Sequence, residues 1–241
     1  MSKIYEALKK AEQDRERTRL SASPLPAALT PPPERPNPTQ EEYHKLRASL
    51  VSIAVPSGLH TILITAPRHR EGATTVAVGL ATSLGKERDS RVLLVEANLR
   101  SACLRAVLPL TTDVGLVDFA AGRATPEALV TRVEGLNFSV IAAGAVTGQP
   151  IDLEIIDALL TRLSSQYDFI VIDGPPVNSY ADTSVVATKV DGVILVVEAD
   201  RTPVIDAETA KRQLDKVGAR ILGVVLNRRR SYIPAFLESI L

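Results

Sequence analysis

Four places in this 241-residue chain carry side chains that could do chemistry together, and each follows a short apolar run. Thr74 comes after the run Thr61–Thr65 and the loop Pro67-Arg68-His69-Arg70-Glu71-Gly72-Ala73. Glu96 and Asn98 follow Val92–Val95, Asp173 follows Phe169–Ile172, and Asn227 follows Ile221–Leu226. Acidic residues beyond two neighbouring strands, joined by a loop hydroxyl, suit a magnesium-bound phosphate. Mg²⁺ prefers oxygen ligands and keeps several of its waters.

The loop before Thr74 is the most specific of the four. A phosphate-cradling loop reads Gly, four residues, Gly, Lys, then Ser or Thr. Its backbone N–H groups surround the phosphates, the Lys reaches the β- and γ-phosphates, and the hydroxyl holds Mg²⁺. Here Gly72 and Thr74 take the second Gly and the hydroxyl positions, but Ala73 stands at the Lys and Pro67 at the first Gly. The stretch reads as a nucleotide-site scaffold with an altered phosphate grip. Its candidate nucleotide-binding residues are Arg68, Arg70, Glu71, Gly72, Ala73, Thr74 and Thr75. Without the Lys, the phosphates lose a charge-assisted contact worth about 1.5–3 kcal/mol.

The elements that must position these residues alternate. Apolar runs at Ile62–Thr65, Val92–Val95, Val140–Ala142, Phe169–Ile172, Val193–Val197 and Ile221–Leu226 read as strands. Helical patterns at Val76–Leu84, Ala102–Val107, Leu153–Leu163, Ala181–Thr188 and Ala207–Val217 lie between them. Near-continuous Val/Ile/Leu strands interleaved with helices predict an α/β fold of three layers, a mostly parallel sheet with helices on both faces. In such sheets ligands bind beyond the carboxyl ends of the strands, where the four candidate places fall.

Ahead of this core, residues 1–20 place Ile4, Leu8 and Ala11 at helical spacing and predict an amphipathic helix, packed on its own domain or docked on a partner or bilayer. Residues 21–38 hold seven of the sixteen prolines and predict an extended linker. Residues 39–241 form the globular domain. Its first helix, Thr39–Ser52, carries Tyr43, Leu46, Leu50 and Ile53 on one side. Lys plus Arg equals Asp plus Glu at 28 each, so no global field attracts nucleic acid, and none is expected as a partner. One cysteine, Cys103, excludes an intrachain disulfide and reads as a small buried hydrophobe. No secretory signal and no membrane-spanning run is apparent, which predicts a cytoplasmic protein, soluble or peripheral at the inner face of the membrane.

Further segments carry a family resemblance. Phe169 through Pro176 gives apolar residues ending in Asp-Gly-Pro-Pro, and Glu96, Asn98 and Arg100 stand where an Asp-x-Asp-x-Arg motif would. Gly115-Leu116-Val117-Asp118-Phe119, Asp191-Gly192-Val193-Ile194-Leu195-Val196-Val197 and Leu222-Gly223-Val224-Val225-Leu226-Asn227 complete the set, and Met1-Ser2-Lys3-Ile4-Tyr5-Glu6-Ala7-Leu8 fits the start. Together they resemble the bacterial tyrosine kinases (BY-kinases) of exopolysaccharide assembly, the CpsD/CapB type, which share the fold of the MinD/ParA deviant P-loop ATPases.

The resemblance implies ATP or ADP with Mg²⁺ as cofactors, weakened or lost here. It makes Glu96 and Asp173 the catalytic acids, gives Thr74, Asn98 and Asp173 to the metal, and sets Asn227 against adenine. Arg68 falls where MinD/ParA proteins keep a signature Lys and is a candidate substitute, with Arg70 nearby. Arg70 also replaces a Gly, and a residue with a Cβ is disfavoured at positive φ. Glu41, His44 and Arg47 resemble a Glu-x-x-Arg-x-x-Arg motif for self-association into a dimer or ring. The implied partner is a membrane-bound polysaccharide co-polymerase or adaptor. Active members carry a tyrosine-rich tail; residues 228–241 hold Tyr232, the candidate phosphoacceptor, beside Arg228-Arg229-Arg230 and a run of apolar residues that could face a membrane. Three functions follow as expectations: a degenerate pseudokinase acting as a regulatory or scaffolding subunit, an active tyrosine autokinase, or a MinD/ParA-like positioning ATPase.

Overall fold

Seven strands form one sheet in the order β3-β4-β2-β5-β1-β6-β7, in a computed structural model that describes residues 38–110, 112–133, 135–145 and 153–229. The N-terminal helix, nearly all of the proline-rich linker, and Tyr232 with its tail lie outside the described residues. The strands are β1 (Thr61–Thr65), β2 (Val92–Glu96), β3 (Thr131–Arg132), β4 (Ser139–Ile141), β5 (Phe169–Asp173), β6 (Gly192–Glu198) and β7 (Ile221–Asn227). All neighbours pair in parallel except β3, a two-residue antiparallel edge on β4 that the sequence reading did not predict.

Period-2 alternation sends the strand side chains into two separate cores. Ile62, Ile64, Leu94, Val171 and Ile194 face one side, under helices α1 (Pro38–Ser57) and α2 (Ala73–Gly85). Leu63, Leu93, Val95, Ile172 and Leu195 face the other, under α6 (Leu153–Leu163), α7 (Ala181–Val186) and α8 (Val204–Lys216). Three short helices, α3 (Leu104–Val107), α4 (Leu116–Ala120) and α5 (Pro126–Leu129), fill the connection between β2 and β3. The three-layer α/β expectation holds.

Two local readings change. Helix α1 opens at Pro38, the last residue assigned to the linker, and runs on to Ser57. Its buried line is Leu50 and Ala54, with Leu46 partly buried, while Ile53 is 38% exposed. Ala54, four residues on from Leu50, stays over the same face, whereas Ile53 rotates past it. At the sheet edge, β7 leaves Val224 and Leu226 exposed on one face, so this strand is not covered on both sides.

Strand order is pinned by side chains as well as by the ladders. Asp191, at the start of β6, accepts hydrogen bonds from His60 N, Thr61 N and Thr61 Oγ1, each at 2.8 Å. These bonds set β1 beside β6 at their amino ends. The order places the carboxyl ends of β2, β5, β1, β6 and β7 in one row, so residues distant in sequence converge there.

Candidate nucleotide site

The loop from β1 to α2 keeps a phosphate-loop backbone although its side chains differ. Arg70 sits at φ 66 and Gly72 at φ 95, both left-handed. At Arg70 that geometry costs on the order of 1–3 kcal/mol. At Gly72 an added Cβ would lie 2.1 Å from Asn227 Nδ2 and push that side chain off the loop, and φ 95 strains any residue with a Cβ. Three elements clamp the loop. Asn227 Nδ2, at the end of β7, donates to Glu71 O at 2.9 Å. Glu71 is 4% exposed, and its carboxylate accepts from Arg68 N at 2.9 Å and from Thr202 Oγ1, just beyond β6, at 2.6 Å. Behind the loop, Val177 N donates to Ala66 O at 2.9 Å and Thr65 Oγ1 to Pro175 O at 2.6 Å. Glu71 and Asn227, both assigned to nucleotide contact, therefore hold the loop's shape here.

The loop opens onto a cleft of about 680 Å³ that also takes in Asn98, Ser101 and Cys103, a size that suits a small-molecule ligand. Ala73 presents a methyl group where the Lys would reach in. Of the arginines at its rim, Arg68 is ion-paired with Asp206 in the first turn of α8, Nε to Oδ2 3.6 Å, and Arg228 with Glu198 at 3.1 Å. Arg70 is exposed at the same rim. Thr75 is exposed on the first turn of α2, and its carbonyl accepts from the Tyr43 hydroxyl at 3.2 Å, which ties α1 to the site.

The floor, beneath the residues that line the cleft, is built differently. Glu96 and Asp173 end β2 and β5 at register-paired positions, each 1% exposed. Thr74 Oγ1 donates to Asp173 Oδ2 at 2.7 Å and lies 3.3 Å from Cys103 Sγ. Asp173 Oδ1 is buried with no hydrogen-bond partner. Burial pushes the Asp173 carboxyl up to about 7, against the Thr74 hydrogen bond, and the Glu96 charge adds to the rise. Glu96 accepts three backbone N–H bonds, from Cys103 at 2.6 Å, Leu104 at 2.7 Å and Ala143 at 3.0 Å. Asn98 Oδ1 accepts from Ser101 N at 3.2 Å. Arg100 binds Asp182 at 3.1 Å and lies 4.7 Å over the Tyr180 ring.

The residues present fit half of a magnesium nucleotide. The orphaned Asp173 oxygen and the Thr74 hydroxyl are hard oxygen donors for a divalent cation. The phosphate half does not fit as well, since no Lys reaches in and two of the rim arginines already have carboxylate partners. The sequence reading missed Thr202 and Asp206, which have no motif signature. It also placed Cys103 wrongly: the thiol is half-buried against Thr74, not a core hydrophobe, and burial raises its pKa. Its position seven residues after Glu96, in the turn that Glu96 caps, was the available signal.

The oligomer motif lies apart from the cleft, on α1. Glu41 is paired with Lys45 at 3.5 Å, His44 is exposed, and Arg47 is ion-paired with Glu87 of its own chain. The exposed Glu41–Lys45 pair is screened by solvent and contributes little to stability.

No family model matches the chain. It is 26% identical over 202 residues to the tyrosine-protein kinase CpsD of Streptococcus agalactiae, covering 82% of this chain and 87% of that protein. The solved structure of the chimerical protein CapA2B2 superposes with a TM-score of 0.74 at 25% identity, over 82% of this chain and 88% of that one. The cell division ATPase MinD of Pyrococcus furiosus superposes with a TM-score of 0.63 at 30% identity, over 75% and 78%. With the loop, the paired strand ends and the sheet order, these likenesses place the family: the chain belongs to the bacterial tyrosine kinases of the MinD/ParA P-loop superfamily, and carries a degenerate phosphate loop.

Proposed function

We propose that this chain is a degenerate BY-kinase, a regulatory or scaffolding subunit of exopolysaccharide or capsule synthesis and export with weak or no ATP turnover. One observation carries the reading: the loop keeps its clamped backbone while Ala73 leaves the phosphate side without its lysine. Nucleotide, where it binds, would be held by the α2 amino end, with Thr74 and Asp173 on Mg²⁺. That ion supplies charge neutralisation at the phosphates. Glu96 holds the turn that carries Cys103 and does not act on a hydroxyl. Transfer chemistry concentrates charge at the β- and γ-phosphates, so the missing lysine weakens turnover more than ground-state binding.

The resemblance extends the proposal to the chain's surroundings. The protein works in the cytoplasm, peripheral to the membrane, on a membrane-bound co-polymerase or adaptor, and self-associates through Glu41, His44 and Arg47. Arg47 then has to exchange Glu87 for a neighbouring subunit. Among the described residues no helix is long and apolar enough to cross a membrane.

Calorimetric titration of MgATP and MgADP into wild type and Ala73→Lys tests the reading. Wild type is expected to bind at least about tenfold more weakly than Ala73→Lys, the equivalent of restoring one charge-assisted contact. Tight wild-type binding, with ATP-dependent phosphotyrosine that is lost in Asp173→Asn, would overturn it in favour of an active autokinase. Arg70 at the rim of the cleft is the observation on that side, and phosphotyrosine that also depends on Arg70 would identify it as the substitute for the lysine.

A further inference from the structure

The floor of the cleft holds a donor set that a magnesium site would use only in part. Glu96, Cys103 and Asp173 each offer a ligand atom, all within 4.8 Å of one another. Tetrahedral zinc with sulfur near 2.3 Å and oxygen near 2.0–2.2 Å spaces its ligands by about 3.3–3.8 Å, so adjustment by about an ångström closes the set. The donors have capacity to spare. Asp173 Oδ1 is fully buried without a partner, and Oδ2 accepts only from Thr74 among the hydrogen bonds described. Glu96 Oε1 takes two N–H donors and Oε2 one, which leaves one of about four acceptor sites. Cys103 Sγ meets Thr74 Oγ1 at 3.3 Å, half-buried on the cleft, so the site opens to solvent on that side.

We propose that Glu96, Cys103 and Asp173 form a site for a thiophilic divalent cation, zinc by ligand type, at the floor of the degenerate loop. Two carboxylates brought within 4.8 Å at paired strand ends gain from a cation between them, and a thiolate turns the choice from Mg²⁺ towards zinc. Binding forms an S–Zn bond, and the thiol proton leaves to solvent. The fourth position stays open to water, as three protein ligands leave it. Because Thr74 and Asp173 also face the magnesium position, zinc and a magnesium nucleotide exclude one another there, and metal occupancy becomes an input to the scaffold.

The test uses full-length protein stripped with a chelator, kept under a phosphine reductant and titrated with Co²⁺. Cys103 is the single cysteine, so a thiolate-to-cobalt charge-transfer band reports this site, while cobalt on any of the three histidines gives none. The band is expected to saturate at one cobalt per chain, bleach with equimolar Zn²⁺, and persist in millimolar Mg²⁺. Cys103→Ala should abolish it. Asp173→Asn should weaken cobalt binding at least about tenfold while circular dichroism shows the variant folded. The proposal is overturned by absence of the band in folded wild type, by bleaching with Mg²⁺, or by unchanged affinity in folded Asp173→Asn. Nucleotide binding by Ala73→Lys is read separately by calorimetry, so failure of the metal site and failure of the pseudokinase reading are told apart.

Discussion

The two sides of the cleft have been treated differently by this sequence. On the floor, Glu96 and Asp173 are buried: Glu96 accepts three backbone N–H bonds, and the part-buried Thr74 joins α2 to β5 through Asp173. At the rim, Ala73, Arg70 and Arg68 are a methyl, an exposed cation and a cation turned towards Asp206. The difference separates groups the fold needs from groups only a ligand needs. Removing a phosphate-binding lysine orphans no buried group, whereas removing Glu96 would orphan three backbone N–H donors. A site can therefore lose its phosphate grip and still keep the packing and hydrogen bonds beneath it.

The largest expected effect belongs to the floor. Glu96→Ala leaves the Cys103, Leu104 and Ala143 N–H groups without their acceptor, and unfolding by denaturant should show a loss of about 3–5 kcal/mol. A loss below about 1 kcal/mol would erase the distinction between floor and rim.

A somewhat smaller effect sharpens it through pH. In chelator-treated protein Asp173 titrates near 7 when folded, against 3.8 in the open chain. Between those values the folded state holds the extra proton, so stability is greatest below about pH 4 and falls as pH rises towards 7, by up to about 4 kcal/mol. Asp173→Asn should flatten this slope and raise the melting temperature at pH 8 but not at pH 4. A wild-type slope unchanged in the variant would show that Asp173 is not the group responsible.

The smallest effect is at the rim. Arg70→Gly relieves a left-handed residue and should stabilise by about 1 kcal/mol, read from the denaturation midpoint. Destabilisation instead would mean that the Arg70 side chain packs the loop, and that the rim shares the structural duty of the floor.

Much of the scaffold was legible in the chain. Leu94, Ile172 and their neighbours form local apolar runs whose length and composition mark strands, and Gly72, Ala73 and Thr74 expose the altered loop residue by residue. What those runs could not give is which strand lies beside which. Asp191 is 131 positions from His60 and fixes the β1–β6 edge. β3, with two residues, is too short to carry a period.

The sequence by itself determined the alternation of strand and helix, the missing lysine and the acid that ends β5, because each is written in consecutive residues. The tertiary structure decided what the side chains at the strand ends are used for. It gave Glu96 three backbone N–H donors, set Asn227 on the Glu71 carbonyl 156 positions away, and brought Cys103 against Thr74. Those outcomes depend on lone pairs and N–H groups that meet only once the strands are ordered, and no local pattern encodes which donor a buried carboxylate will find.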